Sequence, residues 1–267
     1  MIDAHVHLSV MEKGDTFEVA LQKLEKEMQR NGVSHCIIIG DNVSNPGCAD
    51  TELIYELVKD DPRFSIIWSI YPFRNSDKQL KLIDGLLASK KLVGLKIFPG
   101  HDRLYIGDKR FNSTIDRCLK NLIPLVIHTG INSGQTELSK YNHPSLIAKL
   151  AEENPNLQIV ISHYFWPQIQ VCFDYTIKLP NVYYDTSALA DPEVVEASGG
   201  TNAIRTILTE TLKRKPNSVM LGSDYPMCNM KAHVDLIESL SVSGIKKEFV
   251  YSRTAQELYK LPASLFH

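Results

Sequence analysis

The chain has 267 residues, 43% of them hydrophobic and 22% charged, with a formal net charge of −2 and a pI near 6.5. This composition supplies a full apolar core and excludes the excess of lysine and arginine that holds a nucleic-acid backbone or an anionic membrane. The five cysteines, Cys36, Cys48, Cys118, Cys172 and Cys228, are scattered without a C-x-x-C pair, which fits reduced packing thiols better than a disulfide framework or a zinc ribbon.

The opening MIDAHVHL lacks the basic start and long apolar stretch of a signal peptide, and no window approaches ~18 consecutive apolar residues. A cytoplasmic protein is expected. Apolar runs rich in valine and isoleucine then recur at 2–8, 33–39, 64–70, 92–98, 123–128, 157–163, 182–186 and 218–224. Their spacing of about 31 residues is the size of one strand, one crossover helix and two loops. Between them, 16–31 shows helical periodicity, with Phe17, Ala20, Leu21, Leu24 and Met28 at three- and four-residue steps. Segments 51–59, 77–87, 112–120, 145–153, 202–213 and 233–240 read as further crossover helices, and 246–260 as a final one. The connection 168–178 carries the weakest pattern. The basic runs Lys213-Arg214-Lys215 and Lys246-Lys247 fall on solvated helix faces.

Strands of nearly continuous hydrophobicity belong to a parallel sheet covered by helices. Eight such units close into a barrel, whereas an open doubly wound sheet more often has five to seven strands and a glycine-rich phosphate turn, which is absent here. The expected fold is α/β, a (β/α)8 TIM barrel, with 1–267 as a single domain.

Side chains alternate across a strand, so His5 and His7 share a face, and Asp3 falls on it as well, as an orienting partner or a structural group. With nine histidines in the chain, chance placement supplies about 0.3 H-x-H pairs, so the pair alone means little. The other polar residues closing apolar runs carry more. His128, His163 and Asp224 end the fifth, sixth and eighth runs, and the C-terminal rim of a barrel is where active sites lie. Five potential ligands aimed at one mouth are explained together by a metal ion. Imidazole and carboxylate suit zinc, with iron, manganese, cobalt and nickel as alternatives.

In this order, His5-Val-His7 within IDAHVHL, Lys96 within GLKIFPG, His128 within IHTG, His163 within ISH and Asp224 within GSDYP resemble the amidohydrolase superfamily. The pattern is similar to its amidohydrolase-related branch, which includes aminocarboxymuconate-semialdehyde decarboxylase and many metal-dependent hydrolases. The resemblance covers nearly the whole chain, to the C-terminal SRTAQELYKL. It implies His5, His7, His128 and Asp224 as metal ligands, with His163 beside the metal, and Asp224 and His163 as the catalytic pair: Asp224 accepts a proton from water, and His163 stabilises the oxyanion or repositions the proton. Some members carboxylate a lysine at the position of Lys96 to bridge two metals, but GLKIFPG resembles the G-x-K-x-x-P of the branch with one, so one divalent ion is expected. The plainer reading of Lys96 is a charge paired with a nearby acid.

Two departures stand out. His163 is followed by Tyr164-Phe165-Trp166-Pro167 where the branch commonly has small residues, implying a narrower, more aromatic pocket. Arg253-Thr254 precedes Ala255 where the branch commonly has asparagine. Rim loops choose substrates, so His101, Asp102, Arg103 and Tyr105 after the fourth strand, and Tyr71 and Arg74 after the third, come into view. Lys96, Arg103 and Tyr71 are the candidate substrate-binding residues; Arg103 or Arg74 would take a carboxylate or stand as an exposed loop charge. His35, His143, His233 and His267 lack strand-end placement, with His35 at the opposite rim. Asp185 and Ser187 either reach the pocket from the end of the seventh strand or, as the ordinary case, simply close it, and 198–201 reads as a flexible loop or helix start.

The expected function is metal-dependent hydrolysis of a small-molecule amide, lactone or ester. Alternatives are non-oxidative decarboxylation of a small carboxylic acid and, from another class, a non-catalytic metal- or ligand-binding barrel. Phosphoester hydrolysis is disfavoured because Lys96 stands where related phosphoesterases have glutamate. The candidate assembly is a homodimer.

Overall fold

Eight short apolar strands follow one another in the computed structural model, which describes residues 1–42, 45–73, 76–131 and 135–262. They are β1 (Ile2–Val6), β2 (His35–Ile39), β3 (Phe64–Ser69), β4 (Leu92–Ile97), β5 (Leu125–His128), β6 (Ile159–Ser162), β7 (Val182–Asp185) and β8 (Val219–Met220). All pair in parallel and in chain order. The segment that follows β8 returns to β1 through Ala4 N to Leu221 O at 2.8 Å, Asp224 N to His5 O at 2.8 Å and His7 N to Tyr225 O at 2.7 Å. The (β/α)8 TIM barrel read from the spacing is the fold observed.

Helices cover the outside. Helix Phe17–Asn31 starts where the Thr16 side chain accepts from Val19 N and stops at Gly32, whose φ of 68° is the left-handed end that glycine adopts without a Cβ penalty. Ala20, Leu24 and Met28 are its buried stripe. The weakly patterned 168–178 is a helix over Ile169–Thr176 that buries Ile169, Cys172 and Phe173. The expected final helix is interrupted: Gly244–Glu248 and Thr254–Leu258 are separated by a wide π-type turn at Phe249–Arg253. Residues 198–200 join helices Pro192–Ala197 and Thr201–Arg214, so of the expected loop or helix start only Thr201 is helical. No helix among the described residues is long and apolar enough to cross a membrane.

Two cores follow from the strand faces. The outward faces pack under the helices, while Ile2, Ala4, Ile37, Ile39, Ile67, Val93, Val126, Val160 and Met220 fill the barrel with Ala255, Leu258, Tyr259 and Leu261, which close its lower end. Each buried valine, leucine, isoleucine or methionine among them contributes about 1.5–3 kcal/mol.

A bulge in β1 determines what its histidines face. Asp3 pairs with Cys36, but Val6 pairs with Ile38, so β1 uses one residue more than β2 over that stretch. Ile2 and Ala4 point into the barrel and Val6 and Leu8 out of it; the extra residue turns His5 and His7 inward above Ala4. This corrects the expectation for Asp3: it lies on the outward face, opposite His5. Its Oδ1 accepts His5 N at 3.2 Å and Ser223 N at 3.0 Å, tying the bulge to the β8 segment. A second irregularity, where Ile66 and Ile67 pair with Leu92 and Gly94, turns Lys96 inward.

The sixth and eighth strands stop short of the expected run ends. His163 and Asp224 follow them at a φ of 63° each, in the left-handed region that costs a non-glycine residue about 1–3 kcal/mol. Asp224 N donates to His5 O at 2.8 Å and His163 N to Asp185 Oδ1 at 3.1 Å, holding both conformations.

Candidate metal centre

β1 delivers His5 and His7, β4 Lys96, β5 His128, and the turns after β6 and β8 His163 and Asp224, all to the C-terminal end of the barrel. His5 Nε2 lies 3.3 Å from His7 Nε2 and 3.4 Å from Asp224 Oδ1, and His7 Nε2 lies 3.6 Å from that oxygen. Ligands held about 2.0–2.1 Å from one tetrahedral ion are separated by roughly 3.3 Å, so these three atoms fit a shared divalent cation. The ligand atoms of His5, His163 and Asp224 form an overlapping group within 4.8 Å of one another. His128 joins through His163, its Nδ1 being 3.1 Å from His163 Nε2.

The far nitrogens of the β1 pair each face a carboxylate. His5 Nδ1 is 2.8 Å from Asp185 Oδ2, and His7 Nδ1 is 3.3 Å from Asp41 Oδ1. Such outer carboxylates orient metal-binding imidazoles. Of the two readings of Asp185, the structure favours the one that reaches the site; Asp41, two residues beyond the second apolar run, carries no sequence signal for its place beside His7.

Burial governs the charges. It lowers the His163 imidazole to about 3 and that of His128 well below its ordinary value, so both are neutral. Burial opposes ionisation of Asp224, but His163, His5 and His7 outweigh it and bring the carboxyl down to about 2. For Asp185, burial is likewise outweighed by His5, and the carboxyl lies far below the usual range. Burial lowers the Lys96 ammonium to about 8, with Asp224, Asp185 and Asp41 acting in the opposite direction. Its Nζ sits 3.0 Å from His5 Nε2 and 4.8 Å above the Phe98 ring.

The mouth opens into a cavity of about 700 Å³ lined by His101, Arg103, His128, Trp166, Asp224 and Met227 among others. His101 packs edge-on against His128 with centroids 4.7 Å apart. Of the aromatic residues after His163, Trp166 lines this cavity. Tyr164 and Phe165 are buried away from it, Tyr164 stacked on Tyr184 and bonded to Thr211, so of the three expected to shape the pocket only the tryptophan reaches its wall. Tyr71 donates its hydroxyl to the Asp41 carbonyl and lines a separate cleft between helices Thr51–Val58 and Ser76–Leu87. Arg74 and His267 lie outside the described residues. His35 sits at the opposite rim bonded to Ser65, His233 caps Ala190 N, and His143 caps Ser145 N.

The family model described as Amidohydrolase matches residues 2–261. No curated protein is matched by the sequence. Among solved structures, a TIM-barrel protein from Bordetella bronchiseptica is 20% identical, with a TM-score of 0.77 over 97% of this chain and 98% of that one. An amidohydrolase from Burkholderia multivorans with bound zinc is 17% identical, with a TM-score of 0.72 over 98% and 99% of the two chains. The 5-carboxyvanillate decarboxylase of Sphingomonas paucimobilis is 15% identical, with a TM-score of 0.69 over 98% and 99%.

Proposed function

The chain belongs to the amidohydrolase family, and from that membership we propose that it hydrolyses a small molecule at an amide, lactone or ester carbonyl with one divalent ion, zinc by preference, held by His5, His7, His128 and Asp224. The supporting observation is the convergence of His5 Nε2, His7 Nε2 and Asp224 Oδ1 beneath an open cavity, all within 3.6 Å of one another.

A divalent ion bound there supplies Lewis acidity to a carbonyl and brings the pKa of water toward neutrality. The protein supplies the rest. Asp224, ionised at neutral pH, accepts the proton that the attacking water gives up. Neutral His163 handles the second proton position, its Nε2 facing the same space. The buried Lys96 ammonium places a positive charge beside the site, where a developing oxyanion is stabilised. Trp166 and Met227 give the mouth apolar walls, and Arg103 puts a cation at its edge.

Decarboxylation is the second reading, favoured by Arg103, which lines the cavity and suits a substrate carboxylate. The decarboxylase of like fold shares this barrel architecture. A panel of lactones, amides, esters and carboxylated aromatics, assayed with protein purified without chelator, separates the two. Hydrolysis predicts acid release with net uptake of water and no carbon dioxide. Carbon dioxide from an aromatic acid, with no hydrolysis across the panel, overturns it.

A further inference from the structure

Among the residues around the metal centre, Asp185 touches both sides of it. We propose that Asp185 is a positioning residue that sets the tautomers of His5 and His163, directly for His5 and through Ser187 for His163, so that each presents an unprotonated Nε2 to the barrel mouth. The functional weight of this inference rests on the metal-dependent reading above; the hydrogen-bond geometry stands apart from it.

Asp185 is 2% exposed and closes β7. Its Oδ1 accepts the backbone N–H of His163 at 3.1 Å and that of Ser187 at 3.2 Å. An oxygen already accepting two N–H groups carries no proton, so the close contact from Ser187 Oγ to the same Oδ1 must be a hydroxyl donating. A serine hydroxyl has one proton. With it directed at Asp185, Oγ offers only lone pairs to His163 Nδ1, 2.8 Å away. The Nδ1 of His163 therefore carries the hydrogen and its Nε2 is bare, which makes His128 Nδ1 the donor in their 3.1 Å contact.

His5 reaches the same state by a shorter route. Asp185 Oδ2 accepts from His5 Nδ1 at 2.8 Å, leaving Nε2 unprotonated. A second contact agrees: the Lys96 ammonium has hydrogens but no lone pair, and at 3.0 Å from His5 Nε2 it can only donate to that nitrogen. The bare Nε2 is the form of imidazole that ligates a metal.

For the proposed reaction this assigns His163 a direction. It accepts a proton at Nε2, and the imidazolium so formed keeps its Nδ1–H on Ser187 and, behind that, the Asp185 carboxylate. A neutral His163 does not donate to an oxyanion from Nε2; that role falls to Lys96.

The test uses full-length protein labelled with 15N-histidine, freed of metal and shown by circular dichroism to keep its fold. Long-range 1H–15N spectra are expected to show the Nδ1–H tautomer for both His5 and His163. Asp185→Asn keeps an oxygen for the two backbone donors but turns an NH2 group toward His5 Nδ1. With a donor now at Nδ1 and the Lys96 ammonium still at Nε2, His5 is expected to lose its single Nδ1–H tautomer, and zinc affinity, read by competition with a chromophoric chelator, is expected to fall about 10- to 100-fold. Ser187→Ala removes the acceptor at His163 Nδ1 and is expected to change the His163 tautomer alone, with zinc affinity within about threefold. The proposal is overturned if either histidine is Nε2–H in the wild type, or if Asp185→Asn leaves His5 and zinc affinity unchanged. Should Asp185→Asn fail to fold, the wild-type and Ser187→Ala spectra decide. A wild-type protein that binds no zinc sinks the proposed function, while the tautomers still decide the role of Asp185.

Discussion

The Cβ that residue 222 lacks would stand 2.8 Å from His5 Cβ and 3.3 Å from Asp185 Cβ. Gly222 lies where the chain leaves β8, and its bare Cα lets the β1 histidine and the β7 carboxylate meet over it. Gly222→Ala must therefore push His5, Asp185 or the backbone aside. The expected result is a folded protein whose zinc affinity drops at least tenfold by chelator competition. Unchanged affinity would show that His5 does not depend on this close approach.

Asp224 sits at a φ of 63°, a conformation that asparagine tolerates as well as aspartate does. Asp224→Asn thus adds no backbone strain but gives up the ionised carboxylate that the neighbouring histidines favour, and with it the base that accepts the water's proton. Turnover of any substrate found should fall by roughly 10²- to 10⁴-fold. A variant with full activity would remove Asp224 from the chemistry.

Asp3 holds the bulge that aims His5 and His7. Asp3→Ala leaves His5 N and Ser223 N without their acceptor in a buried setting, at a cost of about 1–3 kcal/mol for each group. Urea unfolding is expected to show a lower midpoint. Asp3→Asn, which keeps one side-chain oxygen, should lose less; an equal loss would mean that the oxygen at the bulge is not what matters.

His35, at the rim opposite His5 and Asp224, is held to about 4 by burial and, secondarily, by Lys91, against about 6.5 in an unfolded chain. Between those values the unfolded state binds a proton that the folded state refuses, so stability falls as pH drops from about 6.5 toward about 4. Relative to His35→Gln, wild type is expected to lose on the order of 3 kcal/mol across this window. Parallel stability curves for the two proteins would contradict the account.

The barrel was legible because eight apolar runs of strand length recur at the spacing of a strand-helix unit, and the rim residues because His128, His163 and Asp224 interrupt such runs. The bulges were not. One inserted residue changes neither composition nor hydrophobicity, and unbroken alternation from Ile2 and Ala4 would have sent His5 and His7 into the outer layer. The partner of Asp185 was hidden for a related reason: its meeting with His5 depends on the register of β7 and β8 against β1 across the closed barrel, a relationship between residues 180 positions apart. Asp41 lies in a loop, where no periodicity marks a buried partner for His7. Tyr164 and Phe165 misled because the left-handed turn after His163 carries both into the core.

The most direct measurement of the central claim is the metal content of protein purified without chelators, set beside that of His5→Ala and Asp224→Ala. The account predicts about one divalent ion per wild-type chain and a marked loss in both variants. A wild-type ratio near zero that zinc addition does not raise, or full occupancy in both variants, would contradict it.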